Sequence, residues 1–261
     1  AIAGSSGKMG RMVIEAALAA DDVTIAAALE RPDAPQIGED CALFLGRTSG
    51  VAITSNIAAL ANADVLIDFT RPEGTLRHLA ACVEHRVRAV IGTTGFDEAG
   101  RRQIEQAARS VPVVFSPNMS VGVNVSFRLA ELAARLLSGD FDVEIIEAHH
   151  RQKVDAPSGT ALRLGELVAS ALGRPLQEVA VHSRHGLTGA RSPGSIGFSV
   201  VRGGDMVGEH TVLFIGDGER VEITHRASSR MTYALGSLRA ARFLAQRAPG
   251  LYDMRDVLGL G

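Results

Sequence analysis

Short apolar runs alternate with amphipathic segments through the first half of the chain, and no other feature restricts the fold as strongly. The predicted strands are 1–4, 23–30, 65–70, 89–94 and 111–117, and the predicted helices between several of them are 8–20, 73–85 and 97–109. Strands that are apolar almost throughout and are separated by helices are typical of a parallel sheet covered on both faces. The first half is therefore predicted to be a doubly wound α/β domain.

The pattern changes after Pro117. We expect a helix at 121–137, a strand at 142–150 and a helix at 159–172, followed by strands at 195–202, 205–216 and 219–227. Consecutive strands with short turns predict a mostly antiparallel or mixed sheet. A last helix at 231–248 is expected to pack back onto the first domain. The predicted organisation is a first domain of 1–119 with 231–261, and a smaller α+β domain of 120–230.

Composition narrows the class of protein. With 261 residues and a formal net charge of −2, the chain has no broad basic field for nucleic acid or an anionic membrane surface. No apolar run reaches the ~18 residues that span a bilayer, and no secretory leader is evident. Cys41 and Cys82 are far apart and lack metal-ligand spacing. We expect buried, reduced thiols, a cytoplasmic location and no metal site.

A glycine-rich turn joins the first strand to the first helix in the segment AIAGSSGKMGRM. Gly4, Gly7 and Gly10 occupy the position where a dinucleotide pyrophosphate meets a helix N-terminus. Ser6 stands where the usual motif has its second glycine. Lys8 strengthens the interpretation, because a cation in the first helical turn opposes the helix dipole unless an anion binds there. The alternative is a structural turn with a solvent-facing lysine.

Glu30 ends the second predicted strand, and Arg31 follows it directly. An acidic residue at this place can accept hydrogen bonds from the adenosine ribose, which favours NADH. A guanidinium can bind the 2′-phosphate of NADPH. The pair therefore predicts tolerance of either cofactor, and the alternative is a solvated pair at a strand end.

Two later strands also end in turns that contain small residues. IGTTGF at 91–96 and SPNMS at 116–120 follow the last two predicted strands of the sheet. Ligands of doubly wound folds bind at the carboxyl ends of the strands, so backbone groups of Gly92, Thr93 and Thr94 could reach a nicotinamide. The alternative for both segments is an ordinary turn.

The segment EAHHRQKVDAPSGTA, 147–161, carries two adjacent histidines where a strand ends. Neighbours in a strand point to opposite faces, so His149 and His150 cannot address one ligand unless the chain bends. A paired metal site is disfavoured, and the simple alternative is one buried and one exposed histidine.

Lys153 is one of only two lysines in a chain that otherwise uses arginine. An ammonium can give up a proton and a guanidinium effectively cannot, which suggests a general acid. Backbone N–H groups near Ser158, Gly159 and Thr160 form a natural carboxylate receptor, although helix capping needs the same residue types. Together these residues predict a site where a small anionic substrate undergoes proton transfer.

In these motifs the chain closely resembles the 4-hydroxy-tetrahydrodipicolinate reductase family. The resemblance runs through nearly the whole chain, and E-x-H-H-x-x-K-x-D-x-P-S-G-T is its most specific motif. The other matching segments are GSSGKMGR, IDFTRPEGTL, VIGTTGFDEAG, SVGVNV, GEHTVLFIGDGERVEITHRASSRMTYA and LYDMRDVLGL. The resemblance implies a Rossmann domain plus a smaller α+β domain, a homotetramer built through the second sheet, and NAD(P)H-dependent reduction in the diaminopimelate route to lysine.

The resemblance also implies roles for individual residues. His149 matches the proton donor/acceptor, and Lys153 the proton donor. The matches to substrate-binding positions, for a cyclic imine with two carboxylates, are His150, Gly159 and Thr160. The matches to cofactor-binding positions are Gly4, Ser5, Ser6, Gly7, Lys8, Met9, Glu30, Arg31, Gly92, Thr93, Thr94, Ser116, Pro117, Asn118 and Met119. Pro117 stands where the family often has a small residue.

Two other functions are compatible with parts of the sequence. One is another NAD(P) dehydrogenase of amino-acid biosynthesis, such as an aspartate semialdehyde enzyme, which needs a cysteine thiolate in a nucleophile context that neither Cys41 nor Cys82 has. The other is a non-catalytic NAD(P)-binding sensor, which would not need the His-His-Lys cluster.

Overall fold

The computed structural model describes residues 1–137 and 139–260, which fall into two units. The first contains 1–121 and 230–261, and the second contains 122–229. Ser138 and Gly261, which belong to the predicted ranges 120–230 and 231–261, lie outside the described residues. None of the helices in the described part of the chain is long and apolar enough to span a bilayer.

The elements of the first unit follow the predicted alternation of strands and helices. Its strands are β1 Ile2–Ala3, β2 Ala28–Leu29, β3 Ile53–Thr54, β4 Val65–Asp68, β5 Arg88–Ile91, β6 Pro112–Phe115 and β12 Gly250–Tyr252. Its helices are α1 Lys8–Leu18, α2 Pro72–His85, α3 Glu98–Ala108, α7 Met231–Leu244 and α8 Met254–Leu258, with 3-10 turns at Leu43–Leu45 and Ile57–Asn62. All the strands belong to one sheet of order β12-β6-β5-β4-β1-β2-β3, in which every neighbouring pair is parallel.

Helices cover both faces of this sheet, as predicted. On one face Ile67, Val90 and Val114 pack with residues of α1 and α7. On the other face Leu66 and Val113 pack with residues of α2 and α3. Adjacent residues of one strand are thus buried on opposite sides, and this explains why the strands are apolar throughout.

The second unit contains a mixed sheet, also as predicted. Its strands are β7 Asp142–His149, β8 Ala180–Val181, β9 Ile196–Arg202, β10 Gly208–Ile215 and β11 Arg220–Ala227. Helix α4 Val121–Leu136 leads into this unit, and α5 Gly159–Ala171 and α6 Leu176–Val179 lie within it. The sheet order is β11-β10-β7-β9-β8, with β10 antiparallel to both neighbours and the β7, β9 and β8 pairs parallel.

Strand β7 lies between β9 and β10 although those two strands are consecutive in sequence. Ile145 of β7 pairs with Phe198 of β9 on one side and with Val212 of β10 on the other. One face of the sheet packs on α5, where Leu164 and Val168 complete the core. The central position of β7 places its last residues among side chains from both neighbouring strands.

Candidate active site

The glycine-rich turn between β1 and α1 has a shape that only glycine permits at two positions. Gly4 has φ +65°, a left-handed conformation, and a Cβ at Gly10 would lie 2.1 Å from the carbonyl oxygen of Gly4. Gly7 is the N-cap of α1, and Lys8 is exposed in the first turn. A cation in the first turn of the helix and a close backbone approach fit a bound pyrophosphate.

Glu30 is tied to the glycine-rich turn. Its Oε2 accepts hydrogen bonds from the backbone N–H of Ser6 at 3.1 Å and from Ser6 Oγ at 2.5 Å. Its Oε1 accepts from the backbone N–H of Arg31 at 3.0 Å. The Arg31 side chain is exposed, with Nε 3.4 Å from Asp33 Oδ1. An acidic side chain thus stands beside the turn.

The turn after β5 is shaped by Phe69. A Cβ at Gly92 would lie 2.1 Å from the Phe69 ring, so only glycine fits there. Thr94 is exposed, whereas Thr93 is buried and its Oγ1 donates to Asp68 Oδ1 at 3.4 Å. The Gly92 backbone N–H donates to the Asp68 carbonyl at 2.9 Å, so it is Thr94 that this segment leaves open to a ligand.

Asp68 is a buried carboxylate that sequence reasoning missed. Its Oδ1 accepts from the Thr70 backbone at 2.8 Å and from Thr75 Oγ1 at 3.0 Å, and its Oδ2 lies 2.7 Å from His78 Nδ1. Burial raises the pKa of Asp68, but the hydrogen bonds from His78 and Thr70 outweigh burial and leave the pKa below its usual value. The network links the turns after β4 and β5.

The turn after β6 carries Ser116 to Met119. Ser116 and Met119 are buried, Pro117 is exposed, and Ser116 Oγ donates to the Asn118 carbonyl at 3.0 Å. Asn118 Oδ1 accepts from the Ser120 backbone at 2.9 Å. All four predicted turns of the first unit thus follow parallel strands at the same edge of one sheet.

In the second unit, Glu147 and His149 point to the same buried face of β7. His149 Nδ1 lies 2.6 Å from Glu147 Oε2. Arg202 of β9 binds both oxygens of Glu147 at 2.7 Å each, and the Ser158 backbone N–H donates to Oε1 at 3.0 Å. Burial raises the pKa of Glu147, but the hydrogen bonds from Arg202, His149 and Ser158 leave it below its usual value.

The ionised Glu147 carboxylate determines the tautomer of His149. Burial lowers the pKa of His149 more than the Glu147 hydrogen bond raises it, so the ring is neutral at pH 7. Since a carboxylate only accepts, the neutral ring donates from Nδ1 and carries a lone pair on Nε2. A Cβ at Gly208 would lie 3.0 Å from that Nε2, so the glycine leaves room beside it.

His210 of β10 packs edge-on against His149, with ring centroids 5.1 Å apart. Its Nε2 lies 3.0 Å from Ser158 Oγ, which also caps α5 by accepting from the Ala161 backbone. Burial, followed by the neighbouring His149, lowers the pKa of His210 to about 3. His210 is therefore a neutral partner that holds Ser158 and His149 in place.

This depressed pKa predicts a loss of stability in acid. As pH falls below 6.5, the ordinary histidine pKa, the unfolded state binds a proton that folded His210 refuses down to about pH 3. Between pH 6.5 and 5, His210 alone should lower the free energy of unfolding by about 2 kcal/mol. Urea unfolding at the two pH values should show that His210→Gln loses this part of the pH dependence. His185→Gln, at an exposed histidine, should keep it; an equal pH dependence in all three proteins would contradict the assignment.

Lys153 lies in the loop between β7 and α5 and is one-fifth exposed. Its Nζ donates to Asp155 Oδ1 at 2.8 Å and to Oδ2 at 2.9 Å. Arg202, besides binding Glu147, donates to the Asp155 carbonyl at 2.8 Å, and so connects this loop to the Glu147 carboxylate. His150 follows the strand, half-buried, with its backbone N–H bonded to Met206.

Helix α5 begins beside these groups. Ser158 is the N-cap, Gly159 is exposed with no neighbouring atom within 4 Å of the place that a Cβ would occupy, and Thr160 is half-buried. The first turn of a 13-residue helix can accept an anion such as a carboxylate. His149, His150, Lys153, Gly159 and Thr160 thus lie along the end of β7, the loop after it and the start of α5.

Comparison with known proteins identifies the family. The description "Dihydrodipicolinate reductase, N-terminus" matches residues 1–119, and "Dihydrodipicolinate reductase, C-terminus" matches residues 122–258. The chain belongs to the dihydrodipicolinate reductase family. This confirms the resemblance inferred from the motifs.

Individual relatives agree with this result. The 4-hydroxy-tetrahydrodipicolinate reductase of Herminiimonas arsenicoxydans is 62% identical over 100% of this chain and 97% of its own length. The enzyme of the same name from Bordetella parapertussis is 63% identical over 100% of this chain and 97% of its own. A dipicolinate-bound dihydrodipicolinate reductase from Paenisporosarcina sp. TG-14 is 26% identical, with a TM-score of 0.76 over 97% of this chain and 96% of that one.

His149, His150 and Lys153 were predicted from the sequence, whereas the groups around His149, namely Glu147, Arg202 and His210, were not. For Glu147 a signal was present, because it stands two positions before His149 and so on the same face of a strand.

Cys41 and Cys82 are buried and free, and burial raises the pKa of Cys82 to about 12 and also raises that of Cys41. Neither cysteine is therefore a thiolate nucleophile at neutral pH.

Proposed function

We propose that this member of the family reduces 4-hydroxy-tetrahydrodipicolinate to tetrahydrodipicolinate with NADH or NADPH, and that His149 and Lys153 carry out the proton transfers. The observation that carries the proposal is the arrangement around His149: a neutral ring oriented by Glu147, with Lys153 and an anion-accepting helix start on the segment that follows. Such an arrangement suits a small anionic substrate that must be protonated.

The first unit would hold the cofactor. Gly4 to Met9 would bind the pyrophosphate, Glu30 and Arg31 the adenosine ribose or its phosphate, and Gly92–Thr94 with Ser116–Met119 the nicotinamide. The glycine-rich turn and the turn after β5 support this, because a side chain at Gly10 or at Gly92 would collide with neighbouring atoms. When bound, the reduced nicotinamide supplies a hydride.

The second unit would hold the substrate, a six-membered cyclic imine with two carboxylates. Gly159 and Thr160 would bind one carboxylate at the start of α5, with His150 nearby in sequence. Loss of the 4-hydroxyl with a proton from ring C5, together as water, would leave a conjugated ring. Addition of a hydride at ring C4 would then give an enamine anion, which takes one proton at ring C5. Lys153 would give that proton, and Nε2 of His149, with its lone pair, would accept and return protons during the reaction.

An assay with the product of dihydrodipicolinate synthase tests the proposal. We expect oxidation of NADH or NADPH that depends on this substrate, followed as the loss of absorbance of the reduced nicotinamide. Another amino-acid dehydrogenase would oxidise or reduce a different substrate, and a sensor would bind the cofactor without turnover. Cofactor binding with no turnover of the synthase product would therefore overturn the proposal.

We further propose a homotetramer that works in the cytoplasm. By register, Ile146, Val201 and Ile215 lie on the face of the second sheet opposite Glu147 and His149, and each is more than one-third exposed. Exposed apolar side chains on one sheet face are typical of a surface that packs on another copy. Sedimentation as a monomer would contradict the tetramer.

The free, buried cysteines are compatible with the cytoplasm, which is a reducing compartment.

A further inference from the structure

The Ser6 hydroxyl occupies an acceptor position of Glu30. A carboxylate has about four lone-pair sites, two on each oxygen. Oε2 accepts from both the backbone N–H and the Oγ of Ser6, and Oε1 accepts from the Arg31 backbone N–H. Three of the four sites are therefore filled by the protein itself, and one on Oε1 remains.

From this geometry we infer that Ser6 determines how strongly the enzyme discriminates between NADH and NADPH. The inference rests on the proposed placement of the adenosine ribose at Glu30. The ribose of NADH carries 2′- and 3′-hydroxyls, and two hydroxyls on Glu30 need two acceptor sites. Because Ser6 leaves one site, Glu30 holds the NADH ribose with half of the hydrogen bonds that the two hydroxyls could make.

The same hydroxyl favours NADPH. The 2′-phosphate is repelled by the Glu30 carboxylate, and a hydroxyl donor on Oε2 disperses part of that negative charge. Ser6 stands where the usual motif has glycine, which has no hydroxyl and leaves the carboxylate free. The Ser6 side chain is thus directed at Glu30 and moves the cofactor preference toward NADPH.

The experiment measures Kd for NADH and for NADPH by isothermal titration calorimetry on the intact enzyme without substrate. Ser6→Ala should bind NADH more tightly and NADPH no better, so that the ratio of Kd for NADPH to Kd for NADH rises roughly tenfold, or ~1.4 kcal/mol. Ser6→Gly removes the same hydroxyl without adding bulk and should give the same shift. Ser5→Ala is the control: Ser5 Oγ is buried and does not contact Glu30, so both Kd values should change by one common factor.

Glu30→Gln separates failure of this inference from failure of the ribose placement. If Glu30 binds the ribose, Glu30→Gln should weaken the binding of NADH relative to that of NADPH. The double variant Glu30→Gln with Ser6→Ala should then show the same ratio of Kd values as Glu30→Gln alone. Suppose that Glu30→Gln weakens the binding of NADH relative to NADPH, but Ser6→Ala and Ser6→Gly leave the ratio of the two Kd values unchanged. That result would overturn the role of Ser6. Unchanged Kd values for both cofactors in Glu30→Gln would overturn the ribose placement, and with it the inference.

Discussion

Replacing Lys153 with arginine is expected to lower kcat by roughly 10²–10⁴-fold, the usual contribution of a general acid or base. Arginine preserves the positive charge, and its guanidinium can still pair with Asp155, which now binds Lys153 Nζ through both carboxylate oxygens. It cannot give up a proton at any pH at which the protein is folded. The loss should therefore appear in kcat, whereas the Kd for dipicolinate, a non-reacting analogue with the same two carboxylates, should change little.

Arg151→Lys is the matched control for Lys153→Arg. It makes the reverse exchange two residues away, at an exposed side chain of the same loop, and should leave kcat within about twofold of the wild type. Near-normal kcat in Lys153→Arg would remove Lys153 from the acid role. A Kd for dipicolinate that rises as much as kcat falls would instead assign Lys153 to substrate binding.

Glu147→Gln is expected to damage both stability and catalysis. The change removes a charge that is fully buried and bound by Arg202 and His149, so Arg202 loses its charged partner. We expect the free energy of unfolding to fall by ~2–4 kcal/mol, measured by urea denaturation. Because a glutamine amide can donate or accept, it no longer selects the Nδ1–H tautomer of His149, and kcat should fall roughly 10²–10³-fold.

Glu144→Gln separates the two effects of Glu147→Gln. Glu144 lies on the same strand and pairs with Arg184 and Arg191, but it forms no hydrogen bond to a histidine within the described residues. The Glu144→Gln variant should have a lower free energy of unfolding than the wild type, with little change in kcat. If Glu147→Gln and Glu144→Gln had the same kcat, the carboxylate of Glu147 would have only a structural role.

The doubly wound sheet was predictable because its central strands are buried on both faces. That burial leaves a local pattern, a short run of apolar residues such as 65–67 or 112–115, and no long-range information is needed to recognise it. The strands β3, β8 and β12, of two or three residues, were missed. They are too short to show a period, and pairing with a neighbouring strand defines them.

Part of the candidate site was predictable for the same reason. His149, His150, Lys153, Gly159 and Thr160 lie within twelve consecutive positions, so their association needs only one strand, one loop and one helix start. The glycine-rich turn is likewise local, because the conformation of Gly4 and the close approach at Gly10 both arise within a single strand–turn–helix unit.

The partners of these residues were decided by tertiary structure. Arg202 and His210 are more than fifty positions from Glu147, and they reach Glu147 and His149 because β7 lies between β9 and β10. The hydrophobic period and the strand propensity of a segment indicate how that strand is buried. They do not determine which strands pair with it, since any strand with a compatible face can lie beside it. The order of strands minimises the free energy of the whole packed domain, so the protonation state of His149 depends on contacts that no short segment contains.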